Sequence, residues 1–110
     1  MKYHVSLAEA LSQLNQDSEH PFAVLMQHGT MQVEYFAPRD IDTQNPHEQD
    51  ELYIIASGHS DFYRNGETLK CQKGDVLFVP AGMEHRFNNF SNDFATWVIF
   101  YGQKGGEARI

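Results

Sequence analysis

Apolar and polar positions along the chain follow two different periods. Near the N-terminus Leu7, Leu11 and Leu14 recur at helical spacing. Ser6 and Glu9 precede them in the Ser-x-x-Glu arrangement of a capping box, in which each residue satisfies a free N–H of the other. A short helix over about 7–14 is predicted, with its leucines packed on the outside of the main body. Residues 15–21 are polar and read as a loop. From Phe22 onward the period is that of strands. Phe22 to Met26 and the alternating Met31, Val33 and Tyr35 flank Gly29-Thr30, which predicts two antiparallel strands. Leu52 to Ala56 is β-rich and ends at Ser57-Gly58. Ser60–Arg64 and Glu67–Gln72 flank Asn65-Gly66, the pair that favours a type I′ hairpin. Val76–Val79 and Phe94–Tyr101 complete about eight short strands. With no βαβ alternation, an all-β sandwich or closed double-sheet barrel with one N-terminal helix is expected.

Composition narrows the function classes. A chain of 110 residues fits one domain, 1–110, and 41% hydrophobic residues suffice for one core. A domain of this size is modestly stable alone, and a homodimer is expected to reinforce it. The net charge of −7 provides no basic footprint, so neither nucleic acid nor an anionic membrane surface is an expected partner. The single cysteine, Cys71, excludes an internal disulfide and a cysteine-based zinc cluster. The apolar core of a signal peptide and a run of membrane-spanning length are both lacking, so a cytoplasmic protein is expected. Residues 38–46 read as a polar connection without a core of its own, and the tail 102–110 as mobile or docked on a neighbour. Strand aromatics such as Tyr35, Tyr53, Phe78 and Phe87 read as ordinary core.

The chemistry centres on Gly74–Asn89. Pro80 and Gly82 reverse the chain after a strand and aim His85 inward from the next one. If 45–53 runs as one extended strand, Asn45, His47, Gln49, Glu51 and Tyr53 share a face. His47 and Glu51 then join His85 as two imidazoles and a carboxylate, a set that gives a divalent metal three ligands and leaves open positions. By spacing alone the same residues also suit a structural role. His4, His20 and His59 read as surface residues, and His28 precedes the turn at Gly29.

Gly74, Pro80, Gly82, His85 and Asn89 satisfy every fixed position of G-x5-P-x-G-x2-H-x3-N, the second cupin motif. His47, Glu51 and Gly58 satisfy the second half of the first motif, G-x5-H-x-H-x3,4-E-x6-G. Arg39 stands at its leading glycine and Asn45 at its first histidine. The chain thus resembles a small single-domain microbial cupin. That resemblance implies a double-stranded β-helix barrel, often dimeric, with one divalent transition metal (Fe, Mn, Ni or Zn) inside its mouth. It implies His47, Glu51 and His85 as three ligands. The fourth position falls to Asn45 through its carbonyl oxygen, to water, or to a residue of another strand such as His28.

Two functions fit these residues. One is a metal-dependent enzyme, of dioxygenase or isomerase type, acting on a small organic molecule. The other is a non-catalytic cupin that holds a small ligand, as a sensor would. A purely structural barrel, with histidine and glutamate as a buried hydrogen-bonded pair, is the third reading. Fold does not decide among them.

Overall fold

In the computed structural model, residues 2–16 and 19–107 are described. Residues 17–18 of the expected loop and 108–110 of the expected tail lie outside them. The chain runs α1 (Leu7–Gln16), β1 (Phe22–His28), β2 (Met31–Phe36), β3 (Asp50–Ser57), β4 (His59–Arg64), β5 (Glu67–Gln72), β6 (Val76–Val79), β7 (His85–Asn88) and β8 (Ala95–Tyr101). A five-stranded sheet has the order β1-β2-β8-β3-β6 and a three-stranded sheet the order β5-β4-β7, with antiparallel pairing throughout. This all-β arrangement with a short N-terminal helix is the double-stranded β-helix class expected from the sequence.

Local chemistry accounts for the punctuation. Glu9 N–H donates to Ser6 Oγ at 3.1 Å and Ser6 N–H to Glu9 Oε1 at 3.5 Å, so the capping box forms. Asn65 and Gly66 both have positive φ, 48° and 90°, as a type I′ turn requires, and they join β4 to β5. Gly58 is needed for space as well as for its φ of 72°. A Cβ there would lie 2.8 Å from Phe94 Cα and 2.4 Å from Ser91 Oγ.

The main core lies between the sheets. Tyr53, Phe62 and Phe87 pack there, with Phe87 edge-on to Tyr53 at 4.9 Å. A second cluster lies under α1 on the outer face of the large sheet, where Ala10 and Leu14 meet Tyr35 and Ala95. The helix is rolled relative to the expectation. Leu14 is buried, but Leu7 and Leu11 are exposed at its margin because Ala10 and Leu14 centre the contact.

Three further expectations are corrected. Residues 38–46 do contribute to the interior, since Asp42 is only 3% exposed and is held by hydrogen bonds described below. Phe78 is not core: Leu77 and Val79 take the inward positions of β6, which turns Val76 and Phe78 outward beside Ile54 and Leu52. Within the tail, Gly105 N–H donates to Glu48 O at 2.7 Å and Glu107 N–H to Asp50 Oδ2 at 2.8 Å. Residues 102–107 therefore dock on their own barrel.

Candidate metal centre

His85 opens β7 immediately after the Pro80–Glu84 turn. Gly82 has a φ of 78°, so the reversal uses a conformation that costs other residues energy. The imidazole of His85 is buried, and its Nδ1 lies 2.9 Å from Met83 O. A carbonyl only accepts, so Nδ1 carries the proton and Nε2 is left with a bare lone pair in the neutral ring.

Glu51 stands at the head of β3 and is 1% exposed. Its Oε1 is 3.1 Å from His47 Nδ1 and 3.0 Å from His85 Nε2. The contact with His85 is close without being aligned as a hydrogen bond, and among the described residues Glu51 Oε2 and His85 Nε2 have no hydrogen-bond partner. Glu51 Oε1 and a bare lone pair on His85 Nε2, 3.0 Å apart, are unfavourable neighbours unless a proton or a cation lies between them. Burial would suppress charge on His85, but the Glu51 carboxylate and the Met83 carbonyl outweigh it and raise its pKa. Burial likewise pushes Glu51 up, and His47 and His85 together hold it below the usual carboxylate range.

His47 reaches the pair from a loop, not from a strand. Ladder pairing of β3 begins at Asp50, so the continuous strand expected over 45–53 does not form. Pro46 has no N–H to give a ladder. The carbonyls of His47 and Glu48 accept instead from Gly82 and Gly105, at 2.8 and 2.7 Å. Phe100 packs edge-on to the His47 ring at 4.8 Å. The ligand atoms of His47, Glu51 and His85 all lie within 4.8 Å of one another. The structure does not bring the other two candidates to this cluster. Asn45 is exposed in the loop. His28 is exposed at the end of β1 and pairs with Met31, whose alternation puts it on the face of β2 opposite Gln32 and Glu34.

A buried polar network beside the cluster was not anticipated. Asp42 accepts from Phe87 N at 2.9 Å, Gln44 N at 3.0 Å and Gln44 Nε2 at 2.7 Å. Gln44 Oε1 accepts from the Tyr53 hydroxyl at 3.1 Å. Burial raises the Tyr53 pKa well above its ordinary value, with Glu51 and Asp42 adding to the effect, so the phenol stays neutral. The available signal was Tyr53 itself, a phenol due for the core and so in need of a partner.

A cavity of about 740 Å³ borders the cluster on the inner side of β1, β2 and β8, with His47, Glu34, Phe36, Gln44, Gln49 and Phe100 in its wall. Of the three clustered residues only His47 reaches this wall. Glu51 and His85 lie behind it.

The two motif halves and the two sheets agree with what known proteins show. A Neisseria meningitidis protein of known structure superposes with a TM-score of 0.70 at 17% identity, over 90% of this chain and 99% of that one. A Cupin 2 conserved barrel domain protein from Salinispora arenicola gives 0.68 at 18% identity, over 93% and 89%. In sequence, the chain is 30% identical over 67 residues to an acireductone dioxygenase of Frankia alni, covering 56% of this chain and 32% of the enzyme. It is 41% identical over 59 residues to an uncharacterised protein of Streptomyces coelicolor, covering 54% of this chain and 56% of that protein. Both matches thus take in little more than half of the relative's length or less. No helix among the described residues is long and apolar enough to cross a membrane. The profile of the cupin domain matches residues 32–101, the span that carries both motif halves and every strand from β3 to β8, and the chain belongs to the cupin family.

Proposed function

We propose that His47, Glu51 and His85 hold one divalent transition metal (Fe, Mn, Ni or Zn), and that the protein is a metal-dependent enzyme of dioxygenase or isomerase type acting on a small organic molecule. The observation that carries this reading is the pair of buried, unpartnered acceptors, Glu51 Oε2 and His85 Nε2. A ring nitrogen and a carboxylate oxygen buried without donors are the atoms a divalent cation would bind. The local sequence similarity to an acireductone dioxygenase supports the oxygenase branch. A bound ion of this type supplies Lewis acidity and open positions for substrate or O₂.

The chain's own groups have definable roles in this reading. Met83 O fixes the His85 tautomer so that Nε2 is the free donor atom. Phe100 limits the rotation of His47. Glu51 supplies one negative charge at the cluster. Tyr53 and Gln44 close one side of the site with a neutral hydrogen-bonded pair. The alternative reading, a barrel that holds a small ligand without turning it over, is favoured by the cavity beside His47. A homodimer fits the same reading, with the outward Val76 and Phe78 as the surface to bury.

Metal analysis of protein purified without a His-tag tests the centre. About one ion per chain is expected, falling to background in His85→Ala and Glu51→Gln. Undiminished metal in both variants would remove the assignment. Oxygen uptake or isomerisation over a panel of small hydroxylated and keto compounds then separates enzyme from sensor.

A further inference from the structure

The wall of the cavity beside His47 is chemically one-sided. Glu34 lies on β2, paired with Val24 on one side and Val98 on the other. Val98 pairs in turn with Tyr53, so Glu34 stands two strands, roughly 10 Å, from Tyr53 across the same inner face. Its carboxylate is held in place. Gln27 Nε2 donates to Gln32 Oε1 at 2.7 Å, and Gln32 Nε2 donates to Glu34 Oε2 at 3.0 Å. Among the described residues, Gln32 is the one side chain that donates to the Glu34 carboxylate, and it does so at Oε2, which leaves Oε1 open.

The other polar groups of the wall are largely committed. Gln49 spends both N–H bonds on the carbonyls of Thr30 and Gly102, at 2.9 and 2.8 Å, which leaves its oxygen as the free atom. Gln44 is engaged by Asp42 and Tyr53. Besides His47, the wall has one basic residue, Lys104, an exposed rim group 3.4 Å from Glu48. Phe36, Val98 and Phe100 supply an apolar surface between these acceptors and His47.

We infer that this cavity takes a small molecule with an apolar body and a hydrogen-bond-donating head group, a hydroxyl or an ammonium, which Glu34 Oε1 receives, and that Glu34 disfavours a carboxylate or phosphate at that position. This rests on the reading of the cavity as the approach to the His47–Glu51–His85 centre, and it names the substrate class for that site. A donor is the only partner that an oriented, half-empty carboxylate can accept without repulsion. An anionic head group placed at Glu34 would meet its charge directly, and the lysine of the wall, Lys104, is already paired with Glu48 at the rim. Burial pushes the Glu34 pKa up against the pull of Gln32, which is the state a donor would relieve.

Three probes of one shape decide the matter: benzylammonium, benzyl alcohol and benzoate. Their binding is read by NMR on the metal-free protein, so that a carboxylate captured by a metal does not count. Benzylammonium and benzyl alcohol are expected to bind at least about tenfold more tightly than benzoate. Glu34→Gln is expected to weaken benzylammonium by about tenfold and to bring the three probes together. It should leave zinc uptake unchanged. In the wild type, adding benzylammonium should shift the Glu34 carboxyl ¹³C resonance, a reading that does not depend on the variant folding. Equal binding of benzoate, no binding of any probe, or an unmoved Glu34 resonance overturns the inference. Zinc bound stoichiometrically with benzoate preferred defeats this inference and spares the metal centre. Discrimination with no zinc uptake does the reverse.

Discussion

The backbone N–H of Gly82 donates to the carbonyl oxygen of His47 at 2.8 Å. That bond joins the two motif halves physically, because the turn that aims His85 also holds the loop that carries His47. Neither residue is placed by its own element alone. A disturbance at the turn should therefore be felt at both imidazoles.

Gly82→Ala tests that linkage. A Cβ at Gly82 meets nothing within 4 Å, so the cost is conformational, arising from the φ of 78°. A loss of about 1–2 kcal/mol in urea denaturation is expected. Weaker zinc binding should accompany it although no ligand has been changed. An unaltered zinc affinity would show that the turn does not hold His47.

The Glu51–His85 pair sets a pH window for the metal-free protein. The lowered Glu51 pKa contributes stability that is present above the ordinary carboxylate value, about 4.3, and is lost as pH falls through the folded one. The raised His85 pKa contributes stability that is complete below the ordinary imidazole value, about 6.5, and is lost as pH rises through the folded one. Urea midpoints of the metal-free protein should peak between those limits. In Glu51→Gln the decline on the alkaline side should flatten, since His85 loses the charge that raised its pKa. A profile identical to that of the wild type would rule out the pair as its source.

Asp42→Ala should cost about 1–3 kcal/mol by denaturant unfolding, because it strands the Phe87 and Gln44 N–H groups in a buried setting. Phe87 is the third residue of the strand that His85 begins. Amide exchange in β7 should consequently quicken more than in β5. Equal protection in both strands would count against a local role for Asp42.

Cys71 is buried, and burial together with nearby Asp75 pushes its thiol up to about 11. Alkylation of the native protein by iodoacetamide at pH 8 should be slow, and rapid once denaturant is added. Fast native modification would contradict this burial. Because a raised thiol pKa favours the protonated folded form, stability should also fall as pH climbs from the ordinary thiol value, about 8.5, toward 11.

Turn chemistry and alternation made most of the fold legible. Asn65-Gly66, Gly74, Pro80 and Gly82 act locally, and their meaning survives without tertiary context. The cupin motifs likewise singled out His47, Glu51 and His85, which the fold gathers into one cluster. What alternation could not reveal was how His47 arrives there, because its loop is held by Gly82 and Gly105 from distant parts of the chain. Asp42 was hidden for a related reason: its partners lie on Phe87 and on a loop, and no periodicity records them. Glu34 was obscured by its neighbours. Met31, Val33 and Tyr35 look like the core face of β2, but that face lies outward, with α1 covering Tyr35, and the polar Gln32 and Glu34 line the cavity.

Two acids stand side by side at the head of β3, and the fold uses them in opposite ways. Asp50 Oδ1 accepts from Ala81 N at 2.9 Å and its Oδ2 from Glu107 N, while Gly106 packs so closely that a Cβ would come within 2.8 Å of Oδ1. Asp50 is thereby committed to backbone N–H groups, and Glu51 is the carboxylate that the cluster itself would offer a cation. A divalent ion neutralised by one carboxylate keeps a net positive charge and so remains an electrophile. Residues 81 and 107, by engaging Asp50, thus tie the turn before His85 and the segment after β8 to the head of the strand whose next residue is Glu51.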